Sequence, residues 1–457
     1  MFTNPVITDE RGDDHGDPFV LRRADGYFLY HTTDDGDRGI SVHRSPDLVH
    51  WTFAGIALEP AGWAQTDVWA PEVVAAGGEL RMYVSATTLG PDGEGVEADR
   101  RQGLARARDP LGPFAWDPAP LVTDTWSIDG HPFRDWLFYN VRTEATRADG
   151  RPGSGNVVDR LLAPDRLAGE PVPVTFPSQP WEANAAGDAY WNEGAWVMER
   201  RGRLHQMYSG GFYREATYGI GTAWADDPRG PWTKDPANPI FASGKRITGP
   251  GHHCVTVAPD GVTPYAVYHA YDGGQPGRKV HIDRLFWCGD RPAIADGRPI
   301  EGPQPLPPAP VHDPAVPHWH AELWPEVPAT VCGIDVPAGH VRARQDPAGL
   351  RIAVDGATHA HAPGPHAPDL PPGAVLTSQL DDEALHTLPH AWPWGGRGPV
   401  EVALAVRGEA RLGGANVRSH GDRFTLLRVL LPDGADAIRV EGDGDACDLV
   451  ATARITP

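Results

Sequence analysis

The sequence predicts an all-β chain: a five-bladed β-propeller followed by a C-terminal β-sandwich. Three observations carry that expectation. A turn followed by a short strand ending at Tyr recurs five times along the first two thirds of the chain. The composition, with 53 Gly, 48 Pro and 16 Trp, favours turns and half-buried strands over helices. A proline-rich run then separates these recurrences from a last segment of alternating strands.

The recurring segments are 25–32, 78–85, 134–139, 202–209 and 263–269, with Tyr30, Tyr83, Tyr139, Tyr208 and Tyr268 as landmarks. Successive landmarks lie 53 to 69 residues apart, room for a four-stranded antiparallel unit each. A second echo follows in 39–47, 103–110 and 219–228, which reads as the next strand and its closing turn, ended by Trp51, Phe114 and Trp232. Five such units fill residues 1–305 and would bury their faces against one another as propeller blades do. A two-sheet sandwich would leave both echoes unexplained.

The run from Pro303 to Pro317 makes residues 306–318 a semi-rigid linker. Residues 319–457 then alternate apolar and polar positions in 350–354, 400–406 and 424–431, a spacing that fits a β-sandwich. Its role stays open. His359, His361 and His366 are flanked by Ala and Pro and read as a loop, while Trp392 and Trp394 suit either a sugar platform or packing.

Composition narrows the partners. A formal net charge of −21 argues against nucleic acid and against an anionic membrane, and favours a neutral partner such as an oligosaccharide. Cys254, Cys288, Cys332 and Cys447 match neither a zinc pattern nor a disulfide framework and are expected as free, buried thiols. Asp9, Glu10, Arg11, Asp13 and Asp14 interrupt any apolar leader, and no apolar run reaches membrane-spanning length. A cytoplasmic location is the resulting expectation.

Ahead of the five landmarks stand Asp17, Glu72, Asp129, Glu193 and His253. A lone acid before a strand is ordinarily a turn or cap residue. A polar residue at a similar offset in every unit points instead to a shared axial channel, because a blade begins with its innermost strand. Acids facing each other across such a channel suggest glycoside hydrolysis.

The segments that carry these residues are Asn4-Pro5-Val6, Asp17-Pro18-Phe19-Val20, Trp69-Ala70-Pro71-Glu72, Ile128-Asp129-Gly130-His131-Pro132-Phe133, Glu193-Gly194-Ala195-Trp196 and Gly249-Pro250-Gly251-His252-His253. In type, order and spacing they resemble family 43 of the glycoside hydrolases. The resemblance implies an inverting hydrolase on a five-bladed propeller. By position, Asp17 would be the general base, Glu193 the general acid, and Asp129 the residue that orients the acid and tunes its pKa. His253 would be the axial histidine close to a structural Ca²⁺, with no cofactor required for the chemistry. Arg278 falls where the family carries a pocket-facing arginine, with Arg284 as a competing match.

Inversion requires these types whatever the name. One carboxylate deprotonates water and an opposing carboxylic acid protonates the leaving oxygen, with about 6.5–9.5 Å between them to admit the water. Crowding by Asp129 and desolvation by Trp191 or Trp196 would keep Glu193 protonated. Trp63 and Trp69 could stack on a sugar ring or pack in the core, and His15 could touch a substrate hydroxyl or lie in a solvated loop. Glu72 reads as a supporting acid, and Cys254 beside His252 and His253 lacks metal-ligand spacing.

The expected activity is removal of terminal α-L-arabinofuranosyl residues from plant-type oligosaccharides by an exo-acting inverting glycosidase. β-Xylosidase and endo-arabinanase are rivals within the family. A non-catalytic carbohydrate-binding propeller is the rival of another class, disfavoured because unused buried carboxylates cost stability.

Overall fold

The computed structural model describes residues 1–307 apart from the segments 8–13, 24–25, 34–38, 77, 144–151, 201–202, 260–263, 289–290 and 305; beyond residue 318 it describes strands alone. The described chain is almost entirely β, as the turn-rich composition predicts. Among the described residues no helix is long and apolar enough to cross a membrane.

Five antiparallel groups of strands follow one another along the chain, the third and fourth joined into one nine-stranded sheet by a parallel pairing of Gly153 with Tyr190 and Ser154 with Trp191. The first consists of β1 (His15–Arg23), β2 (Gly26–Thr33), β3 (Ile40–Ser45) and β4 (Thr52–Leu58). The second consists of β5 (Thr66–Ala76), β6 (Glu79–Thr87), β7 (Arg101–Ala107) and β8 (Ala115–Trp116). The third has β9 (Ile128–Phe133), β10 (Trp136–Arg142) and β11 (Gly153–Ala163), with β12 (Arg166–Leu167) and β13 (Val172–Thr175) both paired to β11. The fourth runs through β14 (Tyr190–Arg200), β15 (Arg203–Gly210), β16 (Gly219–Ala225) and β17 (Thr233–Lys234). The fifth is formed by β18 (Ile247–Val257), β19 (Pro264–Asp272), β20 (Arg278–Cys288) and β21 (Arg291–Ile294).

The first strands make the ring. β1 touches β5, β5 touches β9, β9 touches β14, β14 touches β18, and β18 returns to β1. The landmark tyrosines lie buried on the second strands, and two of them reach into the following unit. Tyr30 Oη reaches the Pro110 carbonyl at 2.7 Å, and Tyr83 Oη the Pro164 carbonyl at 3.2 Å. Each thus buries an aromatic ring in one unit while its hydroxyl holds the closing turn of the next.

A second repeated device sits at the axis. Every first strand breaks register with its second strand, between Gly16 and Phe19, Trp69 and Glu72, Ile128 and His131, Glu193 and Trp196, and Gly251 and Cys254. Just inside each break stands a residue with left-handed backbone: Asp17 (φ 50°), Ala70 (51°), Asp129 (57°), Gly194 (56°) and His252 (42°). All five N–H groups donate to a side chain on the second strand of the preceding unit. Ala70 donates to Thr32 Oγ1 at 2.9 Å, Asp129 to Ser85 Oγ at 3.1 Å, Gly194 to Asn140 Oδ1 at 3.3 Å, His252 to Ser209 Oγ at 2.7 Å, and Asp17 to His269 Nδ1 at 3.1 Å. Backbone strain is thereby concentrated at the axis, where buried hydrogen bonds over-determine it.

This register corrects the equivalence read by counting back from the tyrosines. Asp17 and Asp129 occupy the left-handed position itself, whereas Glu193 stands one residue before it, His253 one after, and Glu72 two after. The count failed because the polar residues take different places around the left-handed residue: in the first four units two residues separate the first strand from the second, and Asp17 and Ala70 both precede their tyrosine by 13.

The seam between the last unit and the first is closed by the start of the chain. Phe2 bridges to Gln304, Asn4 exchanges two side-chain hydrogen bonds of 3.0 Å with the Ile282 backbone, and the Val6 N–H donates to the Val280 carbonyl at 2.9 Å. Beyond residue 318 the chain forms further antiparallel sheets, including one of order β22 (Trp319–Leu323), β23 (Val341–Asp346), β24 (Gly349–Val354), β25 (Ala357–Ala362). The face-to-face packing that a sandwich requires, the 308–318 stretch of the linker, and the side chains of His359, His361, His366, Trp392 and Trp394 lie outside the described residues.

Candidate active site

The axial breaks open into a cavity of about 530 Å³ whose lining includes Asp17, Asp129, Glu193, Arg278 and Trp69. Five residues singled out from sequence are therefore brought together. Asp17 and Asp129 project from left-handed positions on β1 and β9, a conformation that Asp tolerates better than most residues. Glu193 comes from β14, one residue before Gly194.

Asp17 is heavily partnered. Thr32 Oγ1 donates to its Oδ2 at 2.7 Å, and Arg278 Nη1 to its Oδ1 at 3.0 Å. His252 Nδ1 and His269 Nδ1 lie 3.2 and 3.3 Å from the same Oδ1. Burial pushes its pKa up, but the Arg278 guanidinium, with help from His252 and His269, more than offsets this and holds Asp17 well below the usual carboxylate range. Arg278 is itself gripped by Asp14, through Nε at 2.9 and 3.0 Å and a shorter contact from Nη2.

The other two carboxyls move the opposite way. Burial, then the charges of Glu193 and Asp17, raise Asp129 well above its ordinary range. Burial raises Glu193 to about 7, despite a 2.9 Å hydrogen bond from Tyr218 Oη to its Oε1 and a 3.4 Å contact from Ser154 Oγ to its Oε2. One site therefore pairs a carboxylate held ionised with two carboxyls whose hold on a proton is strengthened, because burial and neighbouring carboxylates outweigh the hydrogen bonds and the more distant cation that act on them.

Trp69 presents a face to the cavity while the Arg100 guanidinium covers its ring at 3.4 Å from the centroid. The lining also includes Trp126, with the Arg142 guanidinium 4.9 Å from its ring centroid, and Trp191, Phe212 and Tyr213. The Trp191 and Phe212 rings lie 5.1 Å apart, tilted by 33°.

Three sequence candidates do not reach the cavity. Trp63 packs edge-on against Trp116 at 5.1 Å and donates to the Asp117 carbonyl at 3.2 Å, so it is a packing residue of the second unit. His15 shares a strand and a parity with Asp17, but the register break after Gly16 ends the alternation. Its ring turns instead toward His31, at 4.7 Å between centroids. His253 is buried away from the cavity, and burial pushes its pKa down to about 3. Neither of its ring nitrogens has a protein hydrogen-bond partner.

Glu72 accepts from His131 Nδ1 at 2.8 Å, while His131 Nε2 accepts the Val197 N–H at 3.0 Å. The tautomer follows, and the pair ties the second, third and fourth units together just behind the carboxyls. Cys254 is a buried thiol whose Sγ accepts the Val20 N–H at 3.3 Å. Thr32, His252, His269, Asp14 and Tyr218 are site residues that motif reading missed.

A family model, glycosyl hydrolases family 43, matches residues 2–291. The chain belongs to this family. A solved family-43 structure, that of a thermostable glycoside hydrolase, is 36% identical and superposes with a TM-score of 0.58 over 67% of this chain and 99% of its own. An extracellular exo-α-(1→5)-L-arabinofuranosidase of Streptomyces chartreusis is 28% identical over 59% of this chain and 82% of its own. α-L-Arabinofuranosidase B of Pyricularia oryzae is 27% identical over 64% of this chain, which spans just under two thirds (63%) of that relative. The expectation of a cytoplasmic family-43 protein is overturned by the Streptomyces relative, named as extracellular. That expectation rested on the charge of the first twenty residues, which does not determine where a protein works.

Proposed function

We propose that this chain is an inverting exo-glycosidase that releases terminal α-L-arabinofuranosyl residues from oligosaccharides outside the cell. The observation that carries the reading is the opposed ionisation of carboxyls in one cavity, Asp17 held charged and Glu193 raised to about 7. The names of two relatives supply the sugar.

Asp17, charged and oriented by Thr32 and Arg278, takes a proton from water as that water attacks the anomeric carbon. Glu193, protonated near neutrality, gives its proton to the departing glycosidic oxygen as the bond to it breaks. The sugar leaves with inverted configuration, and solvent restores both protonation states. Asp129 orients the acid and tunes its pKa, since the two carboxyls oppose each other's ionisation. Trp69 offers its uncovered face to the sugar ring, and Trp191, Phe212 and Tyr213 receive the leaving saccharide.

Calcium takes oxygen ligands. His253 offers only nitrogen, and among the described residues no carboxylate lies within ion-pair reach of it. These residues do not fit a directly ligated calcium; an ion there would be held through water alone.

The test is turnover of nitrophenyl α-L-arabinofuranoside and nitrophenyl β-D-xyloside, with proton NMR of the first sugar released from an arabino-oligosaccharide. Faster arabinoside hydrolysis and a β-configured first product are expected. Preference for the xyloside would overturn the substrate, and an α-configured first product would overturn the mechanism.

A further inference from the structure

We propose that His15, His31 and His43 form a binding site for a transition-metal ion in the first propeller unit, separate from the carboxyl cavity. The three come from neighbouring strands β1, β2 and β3, and each is only 2% exposed. One ring nitrogen from each lies within 4.8 Å of the other two. The centroids are 4.7 Å apart for His15 and His31, 5.3 Å for His31 and His43, and 6.2 Å for His15 and His43.

The register explains the convergence. His15 pairs with Thr33 and His31 with Ser41, so His31 lies diagonally next to both of the others on one face of the sheet. Three adjacent strands thus hold three imidazoles at fixed positions, and the Phe53 ring packs edge-on at 5.4 Å against His43. Backbones already ordered by strand pairing lose little further entropy when the rings are drawn in.

Ligand chemistry selects the ion. Imidazole nitrogen suits zinc, copper, nickel and cobalt and disfavours calcium and magnesium. Three histidines with a fourth position left to water form a tetrahedral zinc site with Zn–N near 2.0–2.1 Å, so nitrogens within 4.8 Å of one another must close to about 3.3 Å. A purely structural cluster of packed imidazoles is the competing outcome.

The experiment uses the untagged full-length protein, stripped with chelator and titrated with ZnCl₂ and, separately, CoCl₂. One tight equivalent of zinc, a raised thermal midpoint, and the intense visible absorption of four-coordinate cobalt are expected. His43→Gln and His31→Asn should each weaken zinc by more than the roughly 10- to 100-fold that loss of an outer-shell partner costs. His361→Ala, in the other histidine-rich segment of the chain, should leave the tight equivalent in place. Absence of a tight equivalent, only the weak absorption of six-coordinate cobalt, or loss of the ion in His361→Ala with retention in His43→Gln would each overturn the site. The cobalt spectrum is read on the wild-type chain, so the result stands even where a histidine variant fails to fold.

Discussion

The backbone N–H of Asp17 donates to Nδ1 of His269 across a 3.1 Å gap and 252 residues of sequence. It is the last of five like hydrogen bonds around the axis, and it places the proposed base on the joint between the final unit and the first. Support of the ring and disposition of the chemistry are therefore one set of contacts, which makes them separable only by chosen substitutions.

Asp17→Asn and Glu193→Gln should each lower kcat about 10²–10⁴-fold, the range that a positioned acid or base contributes. The two should differ by substrate. A nitrophenolate leaves with little need of a proton, so Glu193→Gln should lose far more on an arabino-oligosaccharide than on the nitrophenyl glycoside, while Asp17→Asn should lose equally on both. Equal losses for Glu193→Gln would remove it from the acid's role.

The pH profile of kcat/KM should fall above about pH 7 as Glu193 ionises, and hold on the acid side because Asp17 stays charged well below its ordinary 3.8. Tyr218→Phe removes a hydrogen bond that favours the ionised Glu193, so its alkaline limb should move to higher pH. Stability carries the same signature. A raised folded pKa gives stability that is fully present below the unfolded value of 4.5 and lost as pH rises through about 7, so Glu193→Gln should flatten the fall in thermal midpoint between pH 5 and 8.

Arg278 neutralises two carboxylates at once. Arg278→Met leaves Asp14 and Asp17 in the interior without their cation and should cost about 3–5 kcal/mol in urea unfolding at neutral pH. Arg278→Lys retains charge without the fork, and should raise the Asp17 pKa. Because a depressed pKa gives stability that is present above the unfolded value and lost as pH falls through the folded one, this variant should lose less stability than the wild type below pH 3.8.

Ser85→Ala and Ser209→Ala each strip the acceptor from a buried axial N–H, of Asp129 and His252 respectively. A loss of about 1–3 kcal/mol is expected from each, the penalty for a buried donor left unsatisfied. Chemical denaturation measures it directly, and a neutral effect in both would show that water replaces the bond.

Trp63 and Trp69 should part company. Trp63→Ala should destabilise by about 3–5 kcal/mol with KM unchanged, because its ring packs against Trp116. Trp69→Ala should raise KM with a smaller loss of stability. A raised KM in Trp63→Ala would return that ring to the substrate.

Motif reading reached Asp17, Asp129, Glu193, Trp69 and Arg278 because each lies in a short segment whose type and order can be matched one by one. For Trp63 it left stacking and packing as alternatives, which only the contact with Trp116 decides, and for His15 the register break after Gly16 turns the ring away from the cavity that Asp17 lines. Tyr218 and Asp14 had no local signal. A signal did exist for others: one or two residues after every landmark tyrosine comes a hydrogen-bonding side chain, Thr32, Ser85, Asn140, Ser209 or His269. Reading that fifth column of the repeat would have found the acceptors and, through them, the left-handed positions.

The joint at Asp17 also imposes an order on synthesis. A ribosome releasing the first four units has already supplied Asp17, Asp129 and Glu193, yet Arg278 and His269 belong to the fifth. Until that unit docks, Asp17 lacks both the cation that offsets its burial in the finished site and the acceptor that fixes its backbone. A growing chain therefore carries its three carboxyls in silence, and hydrolytic competence arrives with the last propeller unit.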